Sequence, residues 1–117
     1  MTTHKVSNKW AGGGLKSLVA KASTGAGDAF DLRSGFQTFS IQCDVTGSTS
    51  VKVVLQGSVD GTNFANIGST NGWRLSAQGD LGMVTVATTA PVQHVRLRVA
   101  TISTGNGKYV DGWIGVA

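Results

Sequence analysis

The chain has 117 residues, 17 of them Gly and one each Pro and Cys, with ten Lys and Arg against six acidic residues for a formal charge of +4. One domain fits this length, the lone Cys43 excludes an internal disulfide, and the Gly-rich, Val- and Thr-rich composition describes short strands joined by tight turns. No stretch approaches the roughly 20 apolar residues of a membrane helix, so no membrane partner is expected. The first ten residues are polar and lack a signal-type apolar run, and no Asn is followed two positions later by Ser or Thr; a reducing cytoplasm is therefore the expected place of synthesis.

The excess charge is localised. Residues 1–27 contain Lys5, Lys9, Lys16 and Lys21 and no acid, whereas residues 28–117 balance six basic with six acidic side chains. Two readings stay open: lysines that keep an exposed terminus and an edge strand soluble, or a basic arm that docks on an acidic surface.

Residues 1–14 show no periodicity, hold one large aromatic, Trp10, and end in Gly12-Gly13-Gly14; they read as an extended arm on a flexible joint, leaving 15–117 as the folded domain. Leu15–Ala22 alternates weakly and predicts a first strand. Asp28–Arg33 predicts a short second one. Phe36–Val45 predicts a strong strand with Phe39, Ile41, Cys43 and Val45 on its inner face.

Val51–Ile67 predicts a β-hairpin: Val51, Val53 and Leu55 alternate against Lys52, Val54 and Gln56, and Asp60-Gly61 supplies the turn. Trp73–Leu75 and Leu81–Ala87 predict two further strands. Gln93–Thr101 alternates Val95, Leu97 and Val99 with His94, Arg96 and Arg98, which places a basic row outside. Thr104–Gly107 predicts another hairpin turn into a last strand, Tyr109–Val116, with Tyr109 and Trp113 opposite Val110 and Ile114. Some eight half-buried strands need a second layer to cover them, so the fold class is an all-β, single-domain antiparallel β-sandwich, jelly-roll or immunoglobulin-like in order.

Catalytic chemistry finds little support. The two histidines are His4, in the arm, and His94, in the outer row; neither has an evident nucleophile to serve. Cys43 shares the phase of the core. The six Asp are dispersed, there is no Glu, and several acids stand at turns. Asp60-Gly61-Thr62-Asn63 offers too few oxygen ligands for calcium, His and Cys lack zinc spacing, and Gly12-Gly13-Gly14-Leu15-Lys16-Ser17 has Leu15 where a phosphate loop needs Gly. No enzyme, metal or cofactor is expected. The basic row, together with Trp10, Trp73, Tyr109 or Trp113, has the means to meet a nucleic acid, but neutrality over 28–117 argues against that partner; the same arginines are equally read as pairing with Asp44, Asp111 or a neighbouring subunit.

The run Val53–Phe64, the run Pro91–Val99 and the closing Gly107–Gly115 resemble a pattern in small β-sandwich virion proteins of tailed bacteriophages, covering about residues 36–116. Similar strands occur in carbohydrate-binding sandwiches and tail proteins. The resemblance implies a head decoration, or cement, protein: non-enzymatic, located in the virion after synthesis in the host cytoplasm, and homo-oligomeric with a trimer favoured. Its partners would be the major capsid protein or other virion subunits. On that reading the partner-binding residues are Lys5, Lys9 and Trp10 of the arm, together with Arg96 and Arg98. A neck or tail component is one alternative. A carbohydrate-binding module, with Trp73, Tyr109 and Trp113 as its aromatic platform, is the other.

Overall fold

The computed structural model describes residues 3–5, 15–47, 51–68, 72–75, 79–80, 84–102 and 107–116. Among these the regular structure is entirely β. The strands are β1 (Thr3–Lys5), β2 (Leu15–Lys21), β3 (Gly25–Ala26), β4 (Ala29–Thr46), β5 (Val51–Ser58), β6 (Ala65–Ile67), β7 (Trp73–Leu75), β8 (Gly79–Asp80), β9 (Val84–Ile102) and β10 (Tyr109–Val116). They form one hydrogen-bonded sheet, ordered β2-β10-β4-β9-β5-β6 along its main path, that curls over itself into two layers. Every pairing is antiparallel except that of β1 with β4.

Two long strands make the curl. The first layer is β2, β10, the second half of β4 and the start of β9; the second is the start of β4, the rest of β9, β5 and its short partners β6 and β7. Between the pairs Asp31↔His94 and Phe36↔Val92 the extra residues lie on β4; between Phe36↔Val92 and Thr38↔Ala87 they lie on β9, and the register resumes. The turning points have local causes. Arg33 takes φ 63°, its N–H held by Asp31 Oδ1 at 2.9 Å, and Pro91, with no N–H to offer a ladder, sits against Gly35.

Alternation fills the space between the layers. Phe39, Ile41, Cys43, Val45, Val110 and Ile114 from the first layer meet Val51, Val53, Leu55, Val95, Leu97 and Val99 from the second, each with no exposed surface. The layers approach closely at Gly112, where a methyl group would press on Leu97 at 2.7 Å. Burial pushes the Cys43 thiol up to about 12, so it is an inert core residue as its phase predicts.

Four expectations change. The strands expected over 28–33 and 36–45 merge into β4, and 84–87 of the strand expected over 81–87 joins 93–101 in β9, because the chain continues through the bends at Arg33 and Pro91; 81–83 lie outside the described residues. The hairpin turn expected at 104–107 falls mostly outside the described residues, and among the described residues β10 pairs with β4 and β2 instead of β9. Val54, expected on the polar side of β5, is 3 % exposed, because the backbone at Gly72 lies against it. The open choice of strand order is replaced by the order given above.

The junction of β2 with the second layer is made by one buried side chain. Ser17 Oγ donates to the Asp28 carbonyl at 2.7 Å and accepts from Leu97 N–H at 2.9 Å, while Gly27 N–H donates to the Leu97 carbonyl at 2.8 Å and Asp28 N–H to the Ser17 carbonyl at 2.7 Å. Ser17 thus fills a gap along the β9 edge between the pairs Ala26↔Arg98 and Phe30↔Val95.

Candidate functional site

The expected partner-binding residues divide by place. Arg96 and Arg98 stand on β9 in the second layer, on the face away from Val95, Leu97 and Val99. Lys5 ends β1, where it registers with Asp31; Asp31 registers with His94 and His94 with Ser58, so one row crosses β1, β4, β9 and β5. Two strand spacings, about 10 Å, therefore separate the Lys5 backbone from β9. Lys9 and Trp10 lie outside the described residues.

Arg96 is organised by its neighbours. Its Nε donates to Gln56 Oε1 at 2.8 Å, and Gln56 Nε2 donates to Asn66 Oδ1 at 3.0 Å, a relay across three directly opposed residues. The guanidinium carbon lies 3.9 Å from the centre of the Phe64 ring, a stacking distance. Burial first, and the Arg98 charge second, lower its pKa from the ordinary value, but an arginine so far above neutrality stays charged. Sequence reasoning missed Phe64, Gln56 and Asn66 as a support; the signal was the hairpin register, which sets Gln56 opposite both Arg96 and Asn66.

His94 departs from the solvent-facing position expected of it. Its side chain is 12 % exposed, because the loop after β5 folds over the sheet and places Gly61 against the imidazole. Nε2 is 3.7 Å from Asp31 Oδ2, and Nδ1 is buried without a hydrogen-bond partner. Asp31, His94 and Ser58 invite comparison with a hydrolytic triad, yet Ser58 Oγ donates to Asp60 at 2.8 Å and accepts from Gly61 N–H at 2.9 Å. A nucleophile must instead give its proton to the base beside it.

Asp60 builds that loop. Its Oδ1 accepts from Ser58 Oγ and from the N–H groups of Thr62 and Asn63, each at 2.8 Å, and its Oδ2 accepts from Asn63 Nδ2 at 2.9 Å. These bonds, led by the Asn63 N–H, hold the carboxyl well below the usual carboxylate range. A group depressed in the folded state stabilises above its unfolded pKa and loses that contribution as pH falls. Asp60→Asn is accordingly expected to be less stable than the wild type at neutral pH, with the gap closing as denaturant titrations are repeated from about pH 5 downwards. A gap constant with pH would refute the assignment.

Beside the loop an open groove of about 350 Å³ runs over Gly57, Val59, Ala65, Ile67, Pro91 and Val92. Its floor is Gly57, where a Cβ would lie 2.7 Å from Val92. No group of three or more potential metal ligands occurs among the described residues.

No family model and no curated protein matches the chain. Solved structures do. The SPBc2 prophage-derived protein YomS superposes with a TM-score of 0.59 at 14 % identity, over 90 % of this chain and 92 % of that one. The fold is shared with a phage protein. The CBM32 of AlyQ, in complex with 4,5-unsaturated mannuronic acid, follows with a TM-score of 0.52 at 14 % identity, over 76 % of this chain and 67 % of that one. At such identities the likeness is one of fold, and the β-sandwich is the common element.

Proposed function

We propose that the protein is a non-enzymatic structural component of a phage virion that decorates or cements the head, assembling as a homo-oligomer, trimeric by preference, against major capsid subunits. The observation that carries this reading is the parallel pairing of Thr3–Lys5 with Ala29–Asp31. It puts the amino-terminal segment onto a sheet edge through main-chain hydrogen bonds, in the layer that presents Arg96 and Arg98. The pairing lies within one chain and shows that this layer's edge accepts an extended segment; the same mode between chains would join subunits without a deep pocket, and the basic row adds attraction for an acidic lattice. The fold shared with a prophage-derived protein supports the phage setting.

The test is the native mass of the full-length protein beside a form lacking residues 1–14, at low and high salt, followed by cosedimentation of both forms and of Arg98→Glu with expanded phage shells. A trimer in both forms, with shell binding lost on truncation and weakened by Arg98→Glu, is the expected result. A ring of six or more subunits would move the protein to the neck or tail, and full shell binding by the truncated form would reject the arm.

A further inference from the structure

The outer face of the first layer, opposite in the molecule to the arginine row, is a second surface with chemistry of its own. β10 sets Tyr109, Asp111, Trp113 and Gly115 against Thr46, Asp44, Gln42 and Ser40 of β4, and Trp113 registers on its other side with Lys16 of β2. Their inward neighbours Val110 and Ile114 are fully buried, so this row faces out, with Trp113 itself half-buried on the sheet. Lys16 Nζ stands 5.0 Å from the centre of the indole and 3.3 Å from Asp111 Oδ1. Asp111 is fixed in turn, accepting from Ala20 N–H at 2.8 Å.

We propose that this face binds a saccharide bearing a protonated amine, an amino sugar, through Trp113. An indole lying on a flat sheet offers the apolar surface on which the C–H face of a pyranose packs. Around it the exposed amide of Gln42, the Asp44 carboxylate and the Ser40 hydroxyl supply donors and acceptors one strand away. Gly115 leaves the ring's neighbouring position open: even a Cβ there would meet nothing nearer than Ser40 Cβ at 3.6 Å. Charge selects the sugar. Asp44 and Asp111 stand opposite each other in the ladder, and Lys16 Nζ, over the indole and beside Asp111, marks the place that a ligand amine takes when the lysine side chain swings aside. A uronate would meet repulsion. The proposal is independent of the capsid reading, which uses the other layer.

Calorimetric titration of the full-length protein with a glucosamine oligomer, its N-acetylated counterpart and a mannuronate oligomer tests it. The whole chain carries +4, so net charge does not draw a cationic glycan to it, and saturable binding requires a local acidic face. The expected order is glucosamine first, N-acetylglucosamine weaker and mannuronate absent. Trp113→Ala should lose about tenfold or more in affinity for the glucosamine oligomer, as truncated aromatic anchors do. Asp44→Asn should erase the preference over the N-acetylated form, and its effect can be read even if Trp113→Ala fails to fold. Lack of saturable binding by the glucosamine oligomer, mannuronate binding as tightly, or wild-type affinity in folded Trp113→Ala or in Asp44→Asn would overturn it.

Discussion

Gly27→Ala is expected to cost about 3 kcal/mol or more of folding stability, the range of an overpacked site that cannot relax. The added Cβ would stand 2.1 Å from the Ser17 carbonyl oxygen and 2.7 Å from Leu18 Cδ2. Neither side can retreat cheaply. The Ser17 carbonyl is held by Asp28 N–H and Gly27 is held by Leu97, so a shift of either segment breaks a buried main-chain bond. Relief requires the Ser17 junction between β2 and the second layer to part or the 25–28 segment to leave β9. On a domain whose total stability lies within about 5–15 kcal/mol, such a loss should lower the melting temperature by some 10 °C or more in thermal denaturation followed by circular dichroism. A melting point equal to the wild type would mean that the close approach does not exist.

Ser17→Ala acts on the same junction by subtraction. Its side chain is 1 % exposed and serves two main-chain groups at once, the Leu97 N–H and the Asp28 carbonyl. Removing the hydroxyl strands both away from water, for an expected loss of about 2–3 kcal/mol, since an orphaned buried group costs more than a hydrogen bond contributes. Ser40→Ala, on the outer face of β4, is the control and should fall within about 0.5 kcal/mol of the wild type. Equal midpoints for the two variants would show that the Ser17 hydroxyl bridges nothing. Gly27→Ala and Ser17→Ala share partners, so the variant carrying both should cost less than the two losses added together.

Where alternation is clean, the sequence is a sound guide to this molecule. Phe39 to Val45, Val95 to Val99 and the pair Val110 and Ile114 show which side faces in, and all are fully buried. Arg96 and Arg98 follow on the other face for the same reason. Legibility ends where one segment depends on another far away. Arg33, Gly35 and Pro91 read as breaks along the chain, yet they are bends that let two strands serve both layers. Nothing local to Ser17 or Gly27 announces their contact, because it exists only once β2 and β9 have met. His94 has the phase of an exposed residue and is covered by a loop that Asp60 shapes from a different strand. The Phe64 stack under Arg96 is hidden likewise, since the ring belongs to a loop without periodicity.

The position of β10 also bears on the order in which the molecule can be made. It lies between β2 and β4, and it is the ladder partner of β2. A growing chain has therefore synthesised Leu15–Lys21 long before Tyr109–Val116 exists to receive it. Until then the apolar side of β2, with Leu18, has no neighbour in its own layer. Pairings this distant are slow to close, because the loop entropy is spent before any contact rewards it. A nascent chain can assemble the β5–β6 hairpin early and add β9 to it, but the first layer must wait for its last strand.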